Sequence, residues 1–236
     1  MTPPRRRVRW RVCYRIIPSR FPPVDLFERV ADAADLAAIH ELESLTNERL
    51  RDESGVIHVV PSEERATGPG SGYVMASFAH AAAGGARFSD ASFGAYYAAH
   101  TMDTAVAETV YHRERFLRAT REAPLELDMR VLEAELDGRL HDLRGQRTSF
   151  PGAYDPDDYG ASQRLAARLR REGSDGIVYD SVRDEGGVCA VIFRPRRVRG
   201  CRATMHLAYV WDGNRIEVVY EKREYRPTSG ARRPAG

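Results

Sequence analysis

Three polar side chains stand where a plain core would not place them. Arg87 lies in Gly84-Gly-Ala-Arg-Phe-Ser-Asp90, Tyr97 follows in Gly94-Ala-Tyr-Tyr-Ala-Ala99, and Glu108 closes Thr104-Ala-Val-Ala-Glu108. Arg87 comes after a glycine pair, Tyr97 falls on an apolar segment, and Glu108 sits among alanines. Alanine neighbours let other elements approach closely, so the Glu108 carboxylate is expected to be partly buried. A buried carboxylate needs a partner or a task. A structural Arg87–Glu108 ion pair is one account and a catalytic carboxylate is the other.

Other constellations carry less. The loop Gly68-Pro-Gly-Ser-Gly72 lacks the Gly-Lys-Ser/Thr ending of a phosphate loop, and no hydrophobic strand abuts it, so it reads as a surface turn. Glu108 and His112 stand four apart on one helix, a chelating geometry, yet no third ligand has matching spacing. No metal site is therefore expected. Asp155-Pro-Asp-Asp158 does not follow a calcium-loop pattern and reads as a helix start. There is no G-x-S-x-G elbow, and Cys189 lies in an apolar strand as a core residue rather than a nucleophile.

These residues require elements to hold them. Periodicity predicts strands at Leu26–Val30 and Val56–Val60 and a helix at Ala33–Arg51 with Asp32 as N-cap. A short helix follows at Tyr73–His80 and a strand at Ala95–Ala99. The helix Thr101–Thr120 has Thr101 or Asp103 as cap and Val106, Val110 and Leu117 on one face. Leu125–Glu135 alternates as a strand. Asp155–Glu172 is a third helix ended by Gly173. Strands close the chain at Gly176–Asp180, Val188–Phe193, Thr204–Trp211 and Arg215–Glu221, the last two joined at the turn signal Asp212-Gly213. Strands outnumber helices and several are hairpin-linked, so the fold class is α+β and not doubly wound.

A chain of 236 residues can bury a sizeable core without disulfide or metal. Acidic and basic residues number 34 and 36, a balance that argues against a protein built mainly to bind nucleic acid or an anionic membrane. Lys222 is the only lysine beside 35 arginines (36 less one), a bias that reads as GC-rich coding and discounts arginine clusters as evidence. Residues 1–20 hold seven arginines and no acid. They could serve DNA as a basic arm, but the reading preferred here is a frayed terminus. The tail from Pro227 to Gly236 is expected to be disordered, leaving one domain over residues 21–226. Three unpaired cysteines, no membrane-length apolar run and no secretory signal point to a soluble, cytoplasmic protein.

The arrangement G-x-R-F-(x)7-Y-Y-A-A-(x)5-A-x-A-E resembles the core of the RES domain, the toxin half of bacterial RES–Xre toxin–antitoxin pairs. That family is named for an Arg, a Glu and a Ser. Arg87 and Glu108 match the first two, and the third is matched by Ser181 in Gly176-Ile-Val-Tyr-Asp-Ser-Val-Arg183. The resemblance continues through Thr104–Leu117 and His206–Ile216, and so spans most of residues 24–222. One departure is visible. Many members carry Glu-x-Asn soon after the serine, whereas this chain reads Glu185-Gly-Gly-Val-Cys189, which puts in doubt a polar contact supplied by that asparagine elsewhere.

The resemblance implies an ADP-ribosyltransferase-like fold, a central, mostly antiparallel split sheet flanked by helices. It implies an enzyme that destroys NAD⁺ by hydrolysis or phosphorolysis, with no cofactor: NAD⁺ is the substrate, and inorganic phosphate a candidate co-substrate. Carried onto this sequence, Glu108 holds the ribose hydroxyls and stabilises an oxocarbenium-like state, and Arg87 contacts the diphosphate. Tyr97 stacks on nicotinamide, Ser181 contacts the ribose or the nucleophile, and Arg29 on the early strand holds substrate. A solvated role suits Arg183 better. The implied partners are an Xre/ParS-like antitoxin, which would bind any operator DNA in this chain's place, and a second copy in a homodimer. Two other functions stay open: protein ADP-ribosylation from the same pocket, and a non-catalytic, DNA-associated module using the Arg-rich ends.

Overall fold

A computed structural model of the chain describes residues 1–19, 60–79, 85–223 and 225. Strand β1 (Arg5–Pro18) pairs antiparallel with β3 (Leu125–Asp142) from Arg5↔His141 to Pro18↔Met129, with a bulge between Trp10 and Cys13. The frayed arm expected over residues 1–20 is thus corrected. Val8, Trp10, Cys13 and Ile16 are buried while the arginines at 5, 6, 7, 9 and 11 face water, so a half-buried strand lies behind the basic charge. Arg7 anchors it further, donating to both carboxylate oxygens of Asp137 at 3.1 and 2.9 Å. The same pairing explains why β3 runs seven residues beyond the expected Glu135, since Leu136 to His141 are zipped to Trp10 to Arg5.

With β2 (Tyr96–Ala99), β4 (Gly176–Asp180), β5 (Val188–Ile192), β6 (Val198–Trp211) and β7 (Ile216–Lys222), the strands of the described residues form one seven-stranded sheet in the order β1-β2-β5-β4-β3-β6-β7. Every pairing is antiparallel except β3 with β4. One edge of β3 carries β1. The other carries β6 as far as Leu136 and then β4 from His141, and the sheet divides at that handover. Because β1 touches both β3 and β2, the pairings close a ring through β1, β2, β5, β4 and β3. Its weakest seam is β1–β2, held by the single pair Tyr14↔Ala99.

Among the described residues three α-helices cover the sheet: α1 (Ser71–Ala79), α2 (Met102–Thr120) and α3 (Gly160–Arg171). Ala105 and Leu117 of α2 and Ala166 and Leu169 of α3 pack with Met129, Ile177, Val191 and Tyr209 on one face. Val74, Met75 and Phe78 of α1 pack with Trp10, Tyr96, Leu132 and Ile192 on the other. Strands β4 and β5 contribute to both cores, which is why they read as unbroken apolar runs. The architecture is α+β, a large, mostly antiparallel sheet flanked by helices. Among the described residues no helix is long and apolar enough to cross a membrane.

Helix α2 begins as expected, with Thr101 Oγ1 accepting the Thr104 N–H at 3.2 Å. Helix α3 starts five residues later than expected. The Asp155 carboxylate instead accepts the N–H groups of Asp157 and Asp158, while the carbonyls of Asp155 and Pro156 accept from Arg87 and Arg183, so neither is left for a helix. The expected strand Leu26–Val30 with Arg29, the helix Ala33–Arg51, residues 56–59 of the next strand and the tail from Pro227 lie outside the described residues.

The glycine-rich loop before α1 is a packing device. Gly70 has φ +77°, and a Cβ there would lie 1.6 Å from the Cys201 carbonyl oxygen on β6. Gly70→Ala is expected to cost roughly 3 kcal/mol from left-handed strain and backbone overlap together. At roughly 2–4 °C per kcal/mol for a chain this size, the thermal midpoint should fall by about 6–12 °C. A melting scan showing no loss would remove this explanation of the loop.

Candidate active site

A cavity of about 790 Å³ opens where β1 and β2 part, a volume within the usual range of small-molecule sites. Tyr14, Arg15 and Ile16 wall it on β1, and Tyr97, Ala98 and Ala99 on β2. Helix α2 contributes Ala105, Glu108 and His112, the segment before α3 contributes Asp157 to Tyr159, α3 itself begins at the wall with Gly160, and Tyr179 and Cys189 come from β4 and β5. Ala98, Ala99 and Ala105 set strand and helix close without filling the space, which is the use their small side chains have here.

Glu108 points into this cavity from α2, and Ser181, just past β4, meets it. Ser181 Oγ donates to Glu108 Oε1 at 2.7 Å and accepts the N–H groups of Arg183 and Asp184, each at 3.0 Å. A hydroxyl has one proton to give, and here it goes to the carboxylate. Cys189 Sγ lies 3.7 Å from the same Oε1. Among the described residues Oε2 accepts no hydrogen bond. The carboxylate is therefore pinned by one oxygen and offers the other. The turn carrying Ser181 is itself fixed: Ser181 N–H donates to the Gly187 carbonyl at 2.8 Å, and Thr104 Oγ1 on α2 donates to Asp184 Oδ2 at 2.6 Å.

Arg87 is buried in the opposite wall. Its Nη1 donates to the carbonyls of Ala153 and Asp155 at 3.2 and 2.6 Å, and its guanidinium lies 4.7 Å from the Tyr159 ring centroid. Nε and Nη2 make no hydrogen bond among the described residues, and no Arg87–Glu108 ion pair forms among them. Tyr97 has its hydroxyl turned away from the cavity, accepting the Phe88 N–H at 3.0 Å and sharing a hydrogen bond with Ser89 Oγ at 3.1 Å. Burial pushes that phenol up to about 12, so it stays protonated and ties down the backbone next to Arg87. Its ring borders the cavity. His112 is exposed at the rim, and among the described residues no third ligand joins Glu108 and His112 to hold a metal. Arg183 is exposed to solvent only in part: it stacks 3.3 Å from the Tyr111 ring centroid and donates to the Pro156 carbonyl, clasping the two walls together.

One residue was missed by sequence reasoning. Arg15, on β1, lines the cavity with Nη1 donating to the Tyr97 carbonyl at 3.1 Å and its guanidinium 5.1 Å from the Tyr96 ring centroid. Burial lowers its pKa, and no carboxylate lies within ion-pair distance among the described residues. A partly buried cation left without an acidic partner at a cavity wall is suited to an anionic ligand. Its signal was in the sequence, a basic residue breaking the apolar run Val12 to Ile17, but the general excess of arginine hid it.

Comparison with known proteins adds three findings. The family model described as RES domain matches residues 63–212. The uncharacterized protein y4oC of Sinorhizobium fredii is 34% identical over 211 residues, covering 88% of this chain and 86% of that one. Among solved structures, the M. tuberculosis MbcT–MbcA toxin–antitoxin complex aligns over 86% of each chain at 13% identity with a TM-score of 0.47.

Proposed function

The chain belongs to the RES domain family, and on that premise we propose that it cleaves the nicotinamide–ribose bond of NAD⁺. The observation that carries this reading is Glu108, with Oε1 held by Ser181 and Oε2 without a hydrogen bond among the described residues, in a cavity walled by Arg15 and Arg87. The anomeric C–N bond breaks with its electron pair leaving on nicotinamide, which departs neutral from a cationic precursor, so no general acid is needed. The ribose passes through an oxocarbenium-like state, and a fixed carboxylate beside it stabilises the positive charge as it grows. Arg15 and Arg87 hold the diphosphate, and the Tyr97 ring borders nicotinamide. Ser181 acts on the carboxylate, not on substrate, because its proton is committed to Oε1. Water or inorganic phosphate then bonds to the anomeric carbon, and a water nucleophile releases its proton to solvent.

In this reading the ring of strands is ADP-ribosyltransferase-like. The chain is the cytoplasmic toxin of a toxin–antitoxin pair, acts as a homodimer, and is neutralised by an Xre/ParS-like antitoxin whose C-terminal segment enters the cleft. The test is NAD⁺ loss by purified chain with and without phosphate, with products separated by chromatography. Free nicotinamide is expected in stoichiometric yield, beside ADP-ribose if water is the acceptor or its anomeric phosphate if phosphate is. Label appearing on protein instead would make the chain a protein ADP-ribosyltransferase. Intact NAD⁺ under every condition would overturn the enzyme reading.

A further inference from the structure

The stretch Glu185–Cys189, where the sequence departs from the family pattern, ends in a thiol beside the carboxylate. We propose that Cys189 is a positioning residue: its S–H donates to Glu108 Oε1 and, together with Ser181, fixes the rotamer that leaves Oε2 for substrate. The assignment deepens the reading of Glu108 given above and rests on it.

Three observations support it. Strand β5 is paired on both sides, Cys189 standing opposite Ala99 on β2 and Tyr179 on β4, so its backbone cannot drift from the site. The thiol is 3% exposed, lines the cavity, and lies 3.7 Å from Oε1, an ordinary donor distance for sulfur. Burial first, then the Glu108 charge, holds its pKa well above that of a free thiol, which keeps it a donor and a poor nucleophile. Ser181 and Cys189 reach the same oxygen from different elements, a turn and a strand. A single donor would leave the carboxylate free to rotate about that contact, whereas two narrow it to one setting.

The test reads the thiol directly and the reaction separately. Subtracting the infrared spectrum of Cys189→Ala from that of the full wild-type chain isolates one S–H stretching band among three cysteines. Glu108→Gln, which replaces the charged acceptor by a weaker neutral one, should move that band to higher frequency; a band that does not move overturns the proposal. In NAD⁺ turnover, Cys189→Ala should lower kcat about fivefold to tenfold with KM nearly unchanged, and Cys189→Ser, which restores a donor, should recover most of the loss. An active wild type with unaltered kcat in Cys189→Ala overturns the positioning role even if the band moves. A wild type without NAD⁺ turnover refutes the proposed function alone, and the band then decides this inference by itself.

Discussion

Glu108→Gln is expected to cut kcat for NAD⁺ cleavage by about 10²–10³-fold while the thermal midpoint stays within a degree or two of wild type. The two side chains have the same shape. The glutamine carbonyl can still accept from Ser181 Oγ, so the hydrogen bond that ties α2 to the turn after β4 survives. In the proposed reaction, what disappears is the negative charge opposite the developing oxocarbenium. That charge matters more in the transition state than in the Michaelis complex, so the loss belongs in kcat and not in KM. The structural account of Glu108 predicts the reverse pattern, near-normal turnover with a lowered midpoint. Steady-state kinetics and a melting scan on one preparation separate the two, and near-normal kcat would strip Glu108 of its assigned role.

The parts of this site legible in the sequence were those whose local surroundings were unusual. Glu108 stood out because alanines precede it, and one of them, Ala105, is at the cavity wall. The capped helix that carries it was readable from Thr101 and the apolar spacing of Val106, Val110 and Leu117. Ser181 was found through family resemblance, but its duty was not. Only the three-dimensional arrangement places two backbone N–H groups on its oxygen and so directs its proton to Glu108. The same holds for Tyr97, whose ring borders the cavity and whose hydroxyl, in a duty the sequence did not show, accepts the Phe88 N–H and so secures the backbone next to Arg87.

The misreadings have one physical origin, long-range partners overriding local signals. Residues 1–20 read as a frayed basic end because their charge is local and conspicuous, whereas the reason Arg5–Pro18 form a strand is β3, more than a hundred residues away. The helix before Gly173 looked longer because nothing local shows that Arg87 and Arg183 take the carbonyls of Asp155 and Pro156. Both errors bear on function. The strand brings Arg15 to the cavity, and the shortened helix frees the segment Asp157 to Tyr159 to form its wall.

Arg15→Met should raise KM for NAD⁺ by about 10²-fold, leave kcat within a few-fold, and leave the protein as stable as before or more so. The direction on stability follows from electrostatics. Burial lowers the Arg15 pKa because the fold disfavours its charge, and no carboxylate lies within ion-pair distance among the described residues to offset that cost. Methionine keeps most of the packing against the Tyr96 ring and gives up, beside the charge, one hydrogen bond to the Tyr97 carbonyl, worth about 1 kcal/mol and smaller than the cost of an unpaired buried charge. The direction on KM follows from the ligand. A diphosphate carries the same charge in ground and transition states, so a residue that holds it binds both equally, in contrast to Glu108, whose partner is positive only as the bond breaks. The two variants should therefore separate cleanly, one in KM and the other in kcat. If Arg15→Met instead melts several degrees lower with KM unchanged, Arg15 is part of the scaffold between β1 and β2, and the diphosphate rests on Arg87 alone.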